Sequence, residues 1–125
     1  MIINGTEKCN KNVSDLAYLS EIMGGKKDLI KEIMDVFLKQ IPEELQSMNE
    51  AIAKTDYAII KNIAHTMKSS VSIMGVSALT PVLQEMEDSG AMAVDIEKIK
   101  TLNLELNLIC KQAIEEVARE RRNYN

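Results

Sequence analysis

Apolar residues recur along this 125-residue chain at spacings of three and four, and nowhere do they alternate with period two long enough for a convincing strand. The clearest stripe is Ile30, Ile33, Met34, Phe37, Ile41, Leu45, Met48 and Ile52, one continuous face of a helix that begins near Lys26. Before it, Leu16, Leu19 and Met23 predict a short helix with Ser14 as its N-cap and Gly24-Gly25 as its stop. Pro42 interrupts the long stripe. It predicts either a kink or a fresh helix start, which Glu43 and Glu44 would suit as first-turn residues. Thr55-Asp56 offers a cap for the next helix, which runs through His65 towards Gly75. Val76, Leu79, Leu83 and Met86 carry a further stripe up to Ser89-Gly90, with Pro81 early enough to be tolerated. Ile99, Leu102, Leu106, Ile109, Ala113 and Val117 then mark a last helix of about six turns near heptad spacing. Four long helices with short connections predict an all-α fold, an antiparallel four-helix bundle with a short N-terminal helix. No repeat or linker divides it, so residues 1–125 read as a single domain.

Composition sharpens this picture. Only 3% of residues are aromatic and none is Trp, so the core must be aliphatic and methionine-rich. Five Gly and two Pro supply too few turns for a β-rich fold. The net charge of −4 gives no electrostatic reason to bind nucleic acid or an anionic bilayer. Arg119, Arg121 and Arg122 form a basic cluster that suits the negative end of a helix dipole. Cys9 and Cys110 are far apart and match no metal spacing, which predicts reduced thiols in a cytoplasmic protein. No apolar run approaches the ~18 residues needed to span a bilayer, so no membrane insertion is expected.

His65 is the one histidine in the chain. A helix turns by roughly 100° per residue. With Ile60 at zero, Ile63, Ala64, Met67, Val71 and Met74 fall within about 60° of it and form the core stripe. His65 lies near about 140°, and Lys61, Lys68 and Ser72 fall between about 80° and about 120°. These four make a separate polar file, so the imidazole should face solvent.

At neutral pH an imidazole in water is mostly unprotonated and nucleophilic. Its nitrogen can attack a phosphoryl group, giving a phosphoramidate reactive enough to be passed on. Lys68, one turn away on the same face, would place a point charge beside the added oxygens, and Lys61 would add longer-range attraction. Ser69, Ser70 and Ser72 keep the surroundings small, which would let another protein approach closely. Other chemistries fit worse. One histidine makes a poor metal site, the serines lack the rest of a hydrolase triad, and no glycine-rich phosphate loop is present. The carboxylate pairs Glu43-Glu44 and Glu115-Glu116 read as solvated helix faces.

The stretch Ala64-His65-Thr66-Met67-Lys68-Ser69-Ser70, continuing to Gly75 and Leu79, resembles the histidine-containing phosphotransfer family of two-component phosphorelays. "DLAYLSEIMGGKKDLIKEIMDVFLKQIPEEL" is similar to that family's entry helix and first long helix. "AIAKTDYAIIKNIAH" is similar to its run into the phosphorylated helix. The resemblance implies a four-helix bundle whose exposed histidine, here His65, takes a phosphoryl group from an aspartyl phosphate on a receiver domain and passes it to another receiver. Lys68 would be its charge partner. Lys61, Ser69, Ser72, Gln84 and Glu87 would lie on the face that docks the receiver. The partners implied are response-regulator receivers and a hybrid sensor kinase. The domain itself would hold no cofactor and act as a monomeric carrier without kinase or phosphatase activity, and Mg²⁺ would come with the receiver.

Two positions depart from the family pattern. Ser69 stands where glycine is usual. Glu87 stands where family members often place a glutamine beside the imidazole, with Gln84 nearby. A carboxylate there would repel a phosphoryl group, so the usual hydrogen bond is not expected; Glu87 would turn away or orient the unphosphorylated ring. Two other readings of the chain remain, a non-catalytic adaptor that docks receivers through the same face and a plain structural bundle.

Overall fold

The computed structural model describes residues 12–124, and among them every regular element is helical. A short α1 (Leu16–Ile22) leads into α2 (Lys27–Ala53), α3 (Tyr57–Ile73), α4 (Leu79–Met92) and α5 (Ile96–Arg121). A single 3-10 turn, Arg122–Tyr124, follows. The all-α expectation holds, and Asp56 caps α3 as predicted by accepting from the Ile59 N–H. Among the described residues no helix is long and apolar enough to cross a membrane.

Two boundaries differ from expectation. α2 runs unbroken through Pro42, so no fresh helix starts there. A mid-helix proline costs about 3 kcal/mol. Here the apolar stripe continues on both sides of it, with Ile30, Met34, Phe37 and Ile41 buried before and Met48, Ala51 and Ile52 after. Burial of both halves in one core keeps the helix continuous through the proline. The N-cap of α1 is Asp15, not Ser14: its carboxylate accepts from the Tyr18 N–H at 3.0 Å. Ser14 is turned inward and used elsewhere.

The buried stripe of α4 ends at Ser89 and Gly90 as expected, while the helix itself runs on to an exposed Met92, with Ala93 left-handed at its C-cap. Gly90 is also a point of close approach. A Cβ built on it would lie 3.0 Å from both the Lys61 nitrogen and the Tyr57 carbonyl oxygen of α3. Glycine therefore lets α3 and α4 pack backbone to backbone, next to the turn that carries His65.

The long helices close on one another: α3 packs on α2 and α4, and α5 packs on α2 and α4. Methionine fills the interior as composition required, with Met48, Met67, Met74 and Met86 wholly buried. On α5, Ile99, Leu106, Ala113 and Val117 are buried as expected, whereas Leu102 and Ile109 are only partly covered. Cys110 takes a core place on that helix. Burial pushes its thiol up to about 12, which keeps it protonated and unreactive. Cys9 lies outside the described residues.

Glu116 is the main correction. The sequence placed it on a solvated face, yet it is buried beside Val117 on the inward side of α5. There it accepts from the Val13 and Ser14 N–H groups, each at 2.9 Å, from the Ser14 hydroxyl, and from Gln112 Nε2 at 2.9 Å. The chain entering α1 crosses α5 at this point, and its backbone donors would be orphaned without an acceptor. The same crossing continues to the end of α3, where the Asp15 N–H donates to the Met74 carbonyl at 3.0 Å. Gly75 follows with φ +70°, and a Cβ there would come within 2.6 Å of the Asp15 Cβ. The glycine that stops α3 therefore also makes room for α1.

Candidate functional site

α3 presents its core stripe inward, with Ile60, Ala64, Met67 and Val71 all buried. The helical phase then turns His65 outward, and its side chain is 69% exposed. Lys68 follows one turn later on the flank nearest α4. It is three-quarters covered, and its ammonium reaches the polar seam. α4 faces this seam with Gln84, Glu87 and Asp88, one turn apart, outside its buried stripe of Val82, Leu83 and Met86.

Glu87 joins His65 and Lys68 of α3. Its Oε2 lies 2.9 Å from His65 Nδ1, and its Oε1 lies 2.6 Å from Lys68 Nζ. Lys68 Nζ also donates to Gln84 Oε1 at 2.9 Å, and Gln84 Nε2 donates to Asp88 Oδ1 at 2.9 Å. The result is one chain of side chains, imidazole to carboxylate to ammonium to amide to carboxylate, laid across two helices. The bond from Lys68 pulls the Glu87 carboxyl below its ordinary range, and the contact with His65 adds to this against the opposing effect of partial burial.

That charge settles the tautomer. An ionised carboxylate only accepts, so the neutral ring must carry its proton on Nδ1. The lone pair is then on Nε2, to which no side chain among the described residues is bonded. Such a ring is a directed nucleophile: one nitrogen is anchored by Glu87 and the other is presented to solvent.

Of the residues read from sequence as a site, the fold brings His65, Lys68, Gln84 and Glu87 into one bonded cluster. Lys61, Ser69 and Ser72 are exposed on the same helix without joining it. Ser69 and Ser72 share a shallow hollow with Lys68 and Ile73. Of the two arrangements left open for Glu87, the structure has the carboxylate on the ring, not turned away. Asp88 was missed. Its spacing of four from Gln84 was the available signal, since such pairs meet on one helix face. Among the described residues no group of three or more His, Cys, Asp or Glu side chains gathers to hold a metal.

The family model of the Hpt domain matches residues 32–120, which takes in every residue of the cluster. The fold is similar to the crystal structure of histidine-containing phosphotransfer protein B (HptB) from Pseudomonas aeruginosa PAO1, with a TM-score of 0.81. The two are 21% identical, and the match covers 90% of this chain and 96% of that one. No curated protein matches the chain.

Proposed function

This chain belongs to the Hpt domain family, and we propose that it works as a phosphorelay intermediate through His65. Nε2 attacks the phosphorus of an aspartyl phosphate on a receiver domain. The Nε2–P bond forms as the acyl O–P bond breaks, and the receiver's carboxylate leaves with the electron pair. Transfer onward is the same step in reverse, onto the aspartate of another receiver. The observation that carries this reading is the exposed ring whose Nδ1 is tied to Glu87.

Lys68 supplies positive charge beside the transferring group, where the phosphoryl oxygens gather. Lys61, Ser69, Ser72, Gln84 and Glu87 lie around the ring on the surface a receiver would cover. We infer an antiparallel four-helix bundle with α1 at one end, acting as one domain, as a monomer and in the cytoplasm. The receiver supplies the Mg²⁺, and the carrier needs no cofactor of its own. Kinase and phosphatase activities lie with its partners.

The test is direct. The protein is mixed with a phosphorylated receiver and assayed for acid-labile, alkali-stable label. Label on the wild type and none on His65→Ala supports the carrier. Receiver binding without label, across a panel of receivers from the same genome, would overturn it in favour of an adaptor.

A further inference from the structure

We propose, on the basis of the phosphotransfer reading above, that Glu87 is a positioning residue which holds the Nδ1 proton on phosphorylated His65 and so keeps the carrier in its reactive form through mildly alkaline pH. The leaving group sets the rate of onward transfer. When a receiver carboxylate attacks phosphorus, an O–P bond forms, the Nε2–P bond breaks, and the electron pair returns to Nε2. If Nδ1 keeps its proton, the ring leaves as neutral imidazole. If Nδ1 has lost it, the ring must leave as imidazolate, a far stronger base and a poorer leaving group. The phosphorylated ring with its proton carries positive charge, so its tendency to lose that proton is set by the charges beside Nδ1.

Glu87 stands against that nitrogen at 2.9 Å. Lys68, at 2.6 Å from the other carboxylate oxygen, keeps Glu87 ionised, and Gln84 fixes Lys68 at 2.9 Å. The direction of the Glu87 titration, downward with Lys68 as the leading cause, agrees with a carboxylate charged throughout the working range. A neutral amide at this position would accept the same hydrogen bond without the charge. The departure at Glu87 thus has a chemical consequence, distinct from the repulsion a carboxylate exerts on the phosphoryl oxygens.

Other charged groups stand on the helices around the ring. On α3 itself these are Lys61 and Lys68. On α4 Asp88 is bonded to Gln84, and Glu85 is paired with Lys98 of α5 at 3.0 Å. On α2 Glu43 and Glu44 border a groove with Asn62, Ile63 and Thr66, away from the Glu87 side. Of these groups only Glu87 bonds the ring.

The experiment loads wild type and Glu87→Gln from a phosphorylated receiver and measures onward transfer to a second receiver across neutral and alkaline pH. Glutamine keeps the acceptor and removes the charge, and Glu87→Ala removes both. Any titration of the receivers is common to all three proteins. The alkaline fall in rate should begin about one pH unit lower in Glu87→Gln, a deficit of about tenfold on that limb that shrinks towards neutral pH. Glu87→Ala should show at least the same displacement. Nitrogen NMR of the phosphorylated His65 ring should place loss of the Nδ1 proton earlier in Glu87→Gln by the same interval. Superimposable profiles, or a uniform loss at every pH, would overturn the inference while leaving the carrier intact. A wild type that takes no label would end the carrier reading and this inference with it.

Discussion

Glu87 and Glu116 are glutamates on successive helices, and each carboxyl titrates below its ordinary range. The causes differ. At Glu87 the leading cause is the bond from Lys68, a long side chain at the surface. At Glu116 burial pushes the carboxyl up, and the bonds from Ser14, Val13 and Gln112 more than reverse it. Glu87 has side-chain partners that can be exchanged when another charged group arrives. Glu116 has backbone donors from a segment 102 and 103 residues away, in a place closed to solvent. A carboxylate held by side chains at a surface can tune a reacting neighbour. One held by buried main-chain donors ties the chain together. Its partners, rather than its residue type, decide which it does.

The largest effect should come from breaking the buried member. Glu116→Ala orphans two backbone N–H groups and a hydroxyl, and should cost about 3 kcal/mol of stability by denaturant unfolding. Phosphotransfer through His65 should be unchanged in protein that remains folded. A loss below about 1 kcal/mol, or a parallel fall in transfer, would erase the distinction between the two sites.

Acid titration sharpens the same contrast. A carboxyl depressed in the folded state adds stability above its unfolded pKa, and that stability is lost as pH falls through the folded value. Both glutamates have this sign, but Glu116 is the more enclosed. Glu116→Gln should therefore flatten the acid limb of stability against pH below the ordinary carboxylate range, whereas Glu87→Gln should leave it near wild type because solvent screens that site. Equal changes in the two variants would count against the comparison.

At the surface cluster the effects should be kinetic. Lys68→Ala should slow transfer about tenfold, about 1.4 kcal/mol in the barrier, with an unchanged circular dichroism spectrum because Lys68 lies outside the core stripe. A normal rate, or unfolding, would remove Lys68 from the proposed chemistry. The smallest effect is expected at Ser69, which is exposed and outside the bonded cluster. Ser69→Gly should change transfer by less than about threefold, since it removes one small side chain from the docking face.

Much of the candidate site was legible in the sequence. Ile60, Ala64, Met67 and Val71 set the phase of α3, and the outward direction of His65 followed from counting residues. Asp56 and Gly75 could be read as the start and stop because caps and left-handed stops are local requirements. Ser14 and the fresh helix start at Pro42 were misleading for one shared reason. Each is a strong local signal, and each was overruled by packing: a continuous apolar stripe at Pro42 and a distant acceptor at Ser14.

Helix type, helix phase and the exposure of the imidazole are decided within a few turns of chain, where steric and periodic rules act between near neighbours, so the linear pattern suffices for them. Pairings are another matter. That Glu87 meets a ring 22 positions away, and that Glu116 is sealed under Ser14, depended on how separate helices came to rest against each other. The partner each carboxylate meets is a property of that assembled packing, and no local run of residues encodes it.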